Sequence, residues 1–351
     1  MRNDIVKKER NVGIELLRLV SMFMVVVLHT LGEGGILSVA TGIKYNISWL
    51  FEIIAYSAVN VFAIITGYVN FTDEEKEFNY FKYIKFWIPV CFYSVINYVA
   101  VSLYTMHSIN LIELLKSFFP VLFAKYWYVN AYTGLFFFIP WINKLLRNCS
   151  EKETNKLMAI LLIVFSLFSN IAIPFSDPFM IERGYSVLWL VILYIIGAGF
   201  KKNYVVYKKS KKFWGMLFFV SVLITWLIKV FSPVAPNIFV CYISVTTVIA
   251  SISLVAIFSQ LNTPIILKKI ILFFSPAAFG VYLIHSNVYF SSLFISKNFM
   301  TYVNNNLCIF ITKTIITAII IFISCLLIEK IRIYVFKLLK FGKLKYIIKK
   351  N

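Results

Sequence analysis

The feature that most restricts this chain is the recurrence of apolar stretches along its whole length. Each is near or above the roughly 17 to 25 residues that a helix needs to cross a bilayer. They fall at 13–31, 49–69, 86–104, 127–145, 157–173, 185–200, 213–231, 238–258, 270–290 and 307–328. Inside hydrocarbon every backbone N–H and C=O must be satisfied within the segment, which leaves the helix as the form for stretches this long. The expected fold is therefore an all-α integral membrane protein with about ten transmembrane helices, residues 1–351 forming a single transmembrane domain. Of the 351 residues 60% are hydrophobic and only 14% charged, so no room is left for a soluble catalytic domain.

A formal net charge of +20 raises the question of nucleic acid, and its distribution answers it. No basic face interleaved with aromatics lies on a polar element, so nucleic acid is excluded as a partner. Instead the Lys and Arg residues alternate with the spans: 27 of the 35 lie on the side of the two termini and 7 on the opposite side, with Arg18 inside the first span. Cytoplasmic loops carry this excess, so both termini are expected in the cytoplasm and the protein in the cell membrane. Basic residues in the stretch 329–351 are interleaved with Ile331, Ile333, Val335, Leu338 and Leu339, a pattern for a cytoplasmic tail helix lying on an anionic inner leaflet. Near the start, Lys7, Lys8 and Arg10 precede an apolar run as in a secretory signal. Arg18 interrupts that run and no small-x-small cleavage site follows, so it is kept as the first transmembrane helix. The segment 109–123 is apolar but interrupted by Glu113, Lys116 and Pro120, which predicts an interfacial helix on the outer surface with Leu111, Leu114, Leu115 and Phe118 turned to lipid. The five cysteines show no paired metal-ligand spacing, and no metal is expected.

Ionisable groups within spans are costly and each asks for a partner or a task. The first span holds Glu15, Arg18 and His29. Eleven residues at 100° each leave Arg18 and His29 about 20° apart around the helix and about 16 Å apart along it, on one face at two depths. That suits a donor such as acyl-CoA entering from the cytoplasm, its anionic part near Arg18 and its reactive end near His29. A neutral imidazole there is a competent general base. The bland alternative pairs Arg18 with Glu15 and leaves His29 as an interfacial polar residue. Glu52, near the outer end of the second span, is either an interfacial glutamate or the carboxylate that orients His29. His285 falls mid-span in the ninth stretch, beyond Pro276 and Gly280, where a kink opens space, or else is a packed histidine. His107 is placed in a solvated outer loop. Trp127, Tyr128 and Tyr132 either stack on a sugar ring or belong to the aromatic belt.

The Arg-x10-His pattern of Arg18 and His29 resembles the signature of the acyltransferase family 3 membrane proteins, which O-acylate surface polysaccharides and related acceptors. AVNVFAIITGYVN, from Ala58 to Asn70, is similar to the family's Phe-rich stretch ending in Ser-Gly-Tyr, with Thr66 in place of Ser and Asn60 and Val61 in place of Pro-Leu. Lys82 and Lys85 before Pro89 resemble a basic pair that is often arginine. KYWYVN from Lys125 and AFGVYLIH ending in His285 resemble two further motifs. The resemblance implies a membrane-bound O-acyltransferase, most simply an O-acetyltransferase. It would use acetyl-CoA or a short acyl-CoA as donor, with no bound cofactor, and a carbohydrate acceptor. His29, Arg18, Glu52 and His285 are then the catalytic candidates. Arg18, Lys82 and Lys85 are expected to hold the donor, and Trp127, Tyr128 and Tyr132 the acceptor. A flippase of a lipid-linked sugar is the rival reading, but the chain lacks the two related halves usual in such carriers.

Overall fold

The structure, a computed structural model, describes residues 10–75, 79–106, 108–203 and 209–339. Among the described residues it is helical throughout, without strands. The first part comprises α1 (Val12–Leu31), α2 (Ile36–Val39), α3 (Gly42–Asn70), α4 (Phe81–Tyr104), α5 (Leu111–Phe118) and α6 (Trp127–Asn148). Next, α7 (Glu151–Leu162) runs through a π-turn (Ile163–Phe168) into α8 (Ser169–Ala172), followed by α9 (Val187–Lys202) and α10 (Lys211–Phe231). The last part holds α11 (Val245–Ser259), α12 (Ile265–Phe274), α13 (Ala278–His285), α14 (Val288–Phe294) and α15 (Leu307–Leu338).

Among the described residues seven helical segments are long and apolar enough to cross a membrane: α1, α3, α4, Glu151–Ala172, α10, Ile265–His285 and α15. The other three expected spans correspond to α6, α9 and α11, but α9 and α11 are short, with 16 and 15 residues, and residues 238–244 of the expected eighth span are turns before α11 begins. The lipid is written on the outside of the bundle, where α15 exposes Ile316, Ile320 and Leu327 at 49%, 58% and 50%. In water such a ridge would be untenable; against acyl chains it costs nothing. The chain is thus a multi-pass membrane protein.

Side chains tie the helix ends together at two levels. At one, Asn11 Nδ2 donates to the Ser259 carbonyl at 2.9 Å, Asn143 Nδ2 to the Asn70 carbonyl at 3.3 Å, and Lys202 Nζ to the carbonyls of Leu146 and Cys149. At the other, Lys44 Nζ donates to the Val303 carbonyl at 2.7 Å and Trp226 Nε1 to the Asn46 carbonyl at 2.8 Å. A close crossing joins α3 and α9. A Cβ on Gly67 would lie 2.0 Å from the Tyr194 carbonyl oxygen, and one on Gly197 would lie 2.0 Å from that of Ile64. Without side chains the two facing glycines let the backbones approach closely, which is how helices gain packing where lipid supplies no hydrophobic drive.

Three expectations need correction. The stretch 270–290 is not one helix: Pro276 sits in a 3-10 turn (Ser275–Ala277), and α13 stops at His285, which therefore lies at a helix end and not mid-span. The expected tail helix is helical as far as Leu338, but as the unbroken continuation of α15 and not as a separate helix from Glu329. Glu329 is buried, accepting from Tyr93 Oη at 2.7 Å and from Arg332 Nε and Nη2 at 2.7 and 2.6 Å. A carboxylate satisfied by three donors can stay inside a helix bundle. Leu114, expected to face lipid with its neighbours, is half-buried, while Leu111, Leu115 and Phe118 are exposed. Residues 340–351 of the expected tail, Lys7, Lys8 and His107 lie outside the described residues.

Candidate active site

Asn11 starts α1 by accepting the Ile14 N–H on its side-chain oxygen, and twenty residues follow without a break, so Arg18 and His29 hold the relation that helical geometry dictates. Both line one cavity of about 320 Å³. Its walls come from α3 (Val59, Phe62, Ile65, Thr66), α4 (Phe86), α6 (Trp127, Tyr128, Tyr132) and the turn and helix after Ser275 (Pro276, Ala278, Phe279, Tyr282), with Tyr242. The kink at Pro276 thus supplies part of the wall. Thr66 and Gly67 divide their labour. Thr66 faces the cavity and donates its hydroxyl to the Phe62 carbonyl at 2.7 Å, while Gly67 makes the crossing with α9.

Arg18 lines the cavity and also pairs with Glu15, Nη1 to Oε1 at 3.3 Å, so the two sequence readings of it coexist. A guanidinium with one arm engaged still offers several donors to an anionic ligand. Trp127, Tyr128 and Tyr132 turn inward to the cavity. Trp127 stacks on Tyr242 with centroids 5.9 Å apart at 20°, which makes an aromatic wall beside His29.

At the other end of α1, His29 and His285 have ring centroids 4.9 Å apart. The Ser286 hydroxyl lies between them, 3.3 Å from His29 Nδ1 and 3.3 Å from His285 Nε2. His285 is fully buried and does not line the cavity; its Nδ1 lies 2.6 Å from the Val281 carbonyl oxygen. His29 Nε2 lies 3.8 Å from Glu33 Oε1. The turn after α1 fixes Glu33: Gly35 takes φ 85°, a conformation that favours glycine, and Lys297 N–H donates to the Glu33 carbonyl at 2.9 Å. Ser291 Oγ donates to Glu33 Oε2.

Of the two readings of Glu52, interfacial glutamate or partner of His29, neither is a contact seen here: the carboxylate within 4 Å of His29 is that of Glu33, whereas Glu52 is buried beside Gly32 with Oε2 free of any hydrogen-bond partner. Lys82 lines a different cavity, of about 350 Å³, with Asn70, Glu75, Lys144 and Arg147. Lys85 is exposed and lines neither. Both cavities have walls on α3 and α4: Thr66 and Phe86 face one, while Asn70 and Lys82, a helical turn away, face the other. Glu33, Ser286, Lys144 and Arg147 went unnoticed in the sequence. For Glu33 the signal was its i, i+4 spacing from His29; for the others no local pattern pointed to them.

Among the described residues no group of three or more His, Cys, Asp or Glu side chains is placed to hold a metal. No curated protein and no solved structure matches the chain. The family model of the acyltransferase domain of acyltransferase family 3 matches residues 11–329, nearly the whole chain. The protein with Arg18 and His29 on one cavity wall therefore belongs to acyltransferase family 3 and is a membrane acyltransferase.

Proposed function

We propose that the protein moves an acetyl or other short acyl group from cytoplasmic acyl-CoA to a hydroxyl of a cell-surface or lipid-linked carbohydrate, in the cell membrane. The observation that carries this reading is the single cavity lined at one depth by Arg18 and at another by His29. Acyl-CoA has anionic phosphates at one end, a long neutral pantetheine arm and a thioester at the other. In this reading Lys82, with Lys144 and Arg147, meets the phosphates at the mouth. Arg18 holds the donor farther in, where its planar fork suits phosphate or carbonyl oxygens.

The acyl end then lies near His29. His29 takes the proton of the attacking hydroxyl as its oxygen bonds to the thioester carbonyl carbon. When the C–S bond breaks, the same proton passes to the departing thiolate, so ester and free CoA result and the enzyme is unchanged. One positioned base contributes roughly 10² to 10⁴ in rate. Glu33, 3.8 Å from His29 Nε2, stabilises the imidazolium formed between the two steps. Trp127, Tyr128 and Tyr132 offer ring faces of the kind that sugars stack on.

The test compares surface and lipid-linked glycans from cells with and without the gene. Loss of a base-labile ester of defined mass, together with incorporation of label from acyl-labelled acetyl-CoA by membranes containing the protein, is the expected result. Unchanged ester content on every glycan, with altered export of a lipid-linked sugar, would overturn it in favour of a carrier.

A further inference from the structure

The hydrogen bonds around Ser286 admit one consistent arrangement of protons. The Val281 carbonyl can only accept, so His285 Nδ1, 2.6 Å away, carries a proton. In a neutral imidazole the other nitrogen, Nε2, is then an acceptor. Ser286 has one hydroxyl proton and stands 3.3 Å from two ring nitrogens, His285 Nε2 and His29 Nδ1. Donation to His285 satisfies that ring and leaves the Ser286 oxygen to accept from His29 Nδ1–H. Donation to His29 instead would leave the His285 Nε2 lone pair facing an oxygen lone pair, an unsatisfied polar atom on a ring that is 0% exposed.

We propose that Ser286, itself held by His285, is a positioning residue that fixes His29 as the Nδ1–H tautomer, leaving Nε2, the nitrogen beside Glu33, as the proton acceptor. The inference rests on the reading of His29 as general base. Neither Ser286 nor His285 touches the reacting atoms. They act as the orienting partner of a catalytic histidine does, by setting which nitrogen bears the lone pair and how the ring is turned. A serine between two imidazoles does this without a buried charge, which a carboxylate at the same place would bring.

The chain has only three histidines, so the tautomers can be read directly from nitrogen-15 spectra of histidine-labelled, detergent-purified full-length protein, assigned with His29→Gln and His285→Gln. Both His29 and His285 are expected as Nδ1–H tautomers. In Ser286→Ala the His29 signals move toward a tautomer mixture, and kcat for acyl transfer falls about 10- to 100-fold with the KM for acyl-CoA within about twofold; Ser286→Thr, which keeps the hydroxyl, recovers most of the rate. Finding His29 as the Nε2–H tautomer in the wild type, or wild-type kcat in Ser286→Ala, overturns the proposal, and the spectrum decides it even where a variant folds poorly. An active His29→Gln would instead remove the base reading itself, so the two failures are distinguishable.

Discussion

The rings of His29 and His285 stand 4.9 Å apart with the Ser286 hydroxyl between them, joining the end of α1 to the end of α13. This contact lies at the end of the cavity away from Arg18. It also separates two roles for histidine: His29 lines the cavity and His285 does not.

His29→Gln should accordingly abolish acyl transfer while leaving the protein inserted at normal abundance. Gln keeps a hydrogen bond and much of the shape but cannot accept a full proton near neutral pH. A loss of roughly 10² to 10⁴ in kcat is expected from removing one base. Donor binding should survive, because Arg18 lies about 16 Å away along the helix. Turnover by His29→Gln membranes at near wild-type rate would remove His29 from the mechanism.

The crossing of α3 and α9 should tolerate an added side chain poorly. In Gly67→Ala the new Cβ meets backbone, the Tyr194 carbonyl oxygen at 2.0 Å and the Ala198 nitrogen at 2.8 Å. Backbone cannot swing aside as a side-chain tip does, so the helices must part, at a cost of about 1 to 3 kcal/mol. Thermal unfolding in detergent should begin at lower temperature than in the wild type. Gly215, where an added Cβ meets nothing within 4 Å, is the control, and Gly215→Ala should melt as the wild type does.

Helical periodicity made α1 legible: the spacing of Arg18 and His29 needs only 3.6 residues per turn, and both sit on the cavity wall as expected of one face. That α5 is too short to be a span was legible as well, because Glu113 and Lys116 interrupt the apolar run. What escaped was the closure of distant segments onto each other. Ser286 acquires its meaning only because the kink at Pro276 lets α13 end beside α1. Glu52 and Glu33 illustrate the limit: both fall where the first two spans meet, and only the turn through Gly35 decides which carboxylate lies within 4 Å of His29. Glu329 misled for the opposite reason, since a charge that looks like the end of a span is buried by Tyr93 and Arg332.

The α5 helix is fastened by Glu113. Its Oε1 accepts from Lys116 at 2.8 Å, and its Oε2 accepts from Tyr289 Oη at 2.9 Å and from Lys125 at 3.3 Å. Hydrogen bonds from Lys116, Tyr289 and Lys125 hold its carboxyl down to about 2. A carboxylate depressed in the folded state stabilises fully above its unfolded value, roughly 4.3, and the contribution fades as pH falls through the folded value. The fastening should therefore hold at neutral pH and loosen between about pH 4 and 2. Limited proteolysis near α5 in Glu113→Gln at pH 7 should resemble that of the wild type at the acid end. Equal protection of both proteins at pH 7 would show that α5 is held by its apolar face alone.

The excess of Lys and Arg on one side gives a topological prediction that the bundle geometry makes specific. Gln260 Nε2 donates to the Lys209 carbonyl at 3.2 Å, so the loop before α10 lies at the end of α11 that also meets Asn11. A cysteine at Lys209 should be shielded from an impermeant reagent on intact cells, and one at Lys297 should be labelled. The reverse pattern would invert the protein in the membrane and place His29 on the cytoplasmic side.

Arg18 supplies the last prediction, because its two contacts pull in different directions. Paired with Glu15 at 3.3 Å and lining the cavity, it is both part of the fold of α1 and a candidate ligand for the donor. If its task is the donor, Arg18→Ala should raise the KM for acyl-CoA, and Arg18→Lys should fall between the two, since Lys keeps the charge but loses the planar fork. If its task is only to neutralise Glu15, a buried carboxylate, then Glu15→Gln should rescue Arg18→Ala by removing the charge left unpaired. The double variant separates these cases. With the donor role, abundance recovers in Glu15→Gln, Arg18→Ala membranes but the KM for acyl-CoA stays high. A return of KM to the wild-type value in that double variant would assign Arg18 to the fold and leave the donor to Lys82, Lys144 and Arg147, whose neutralisation should then raise KM in its place.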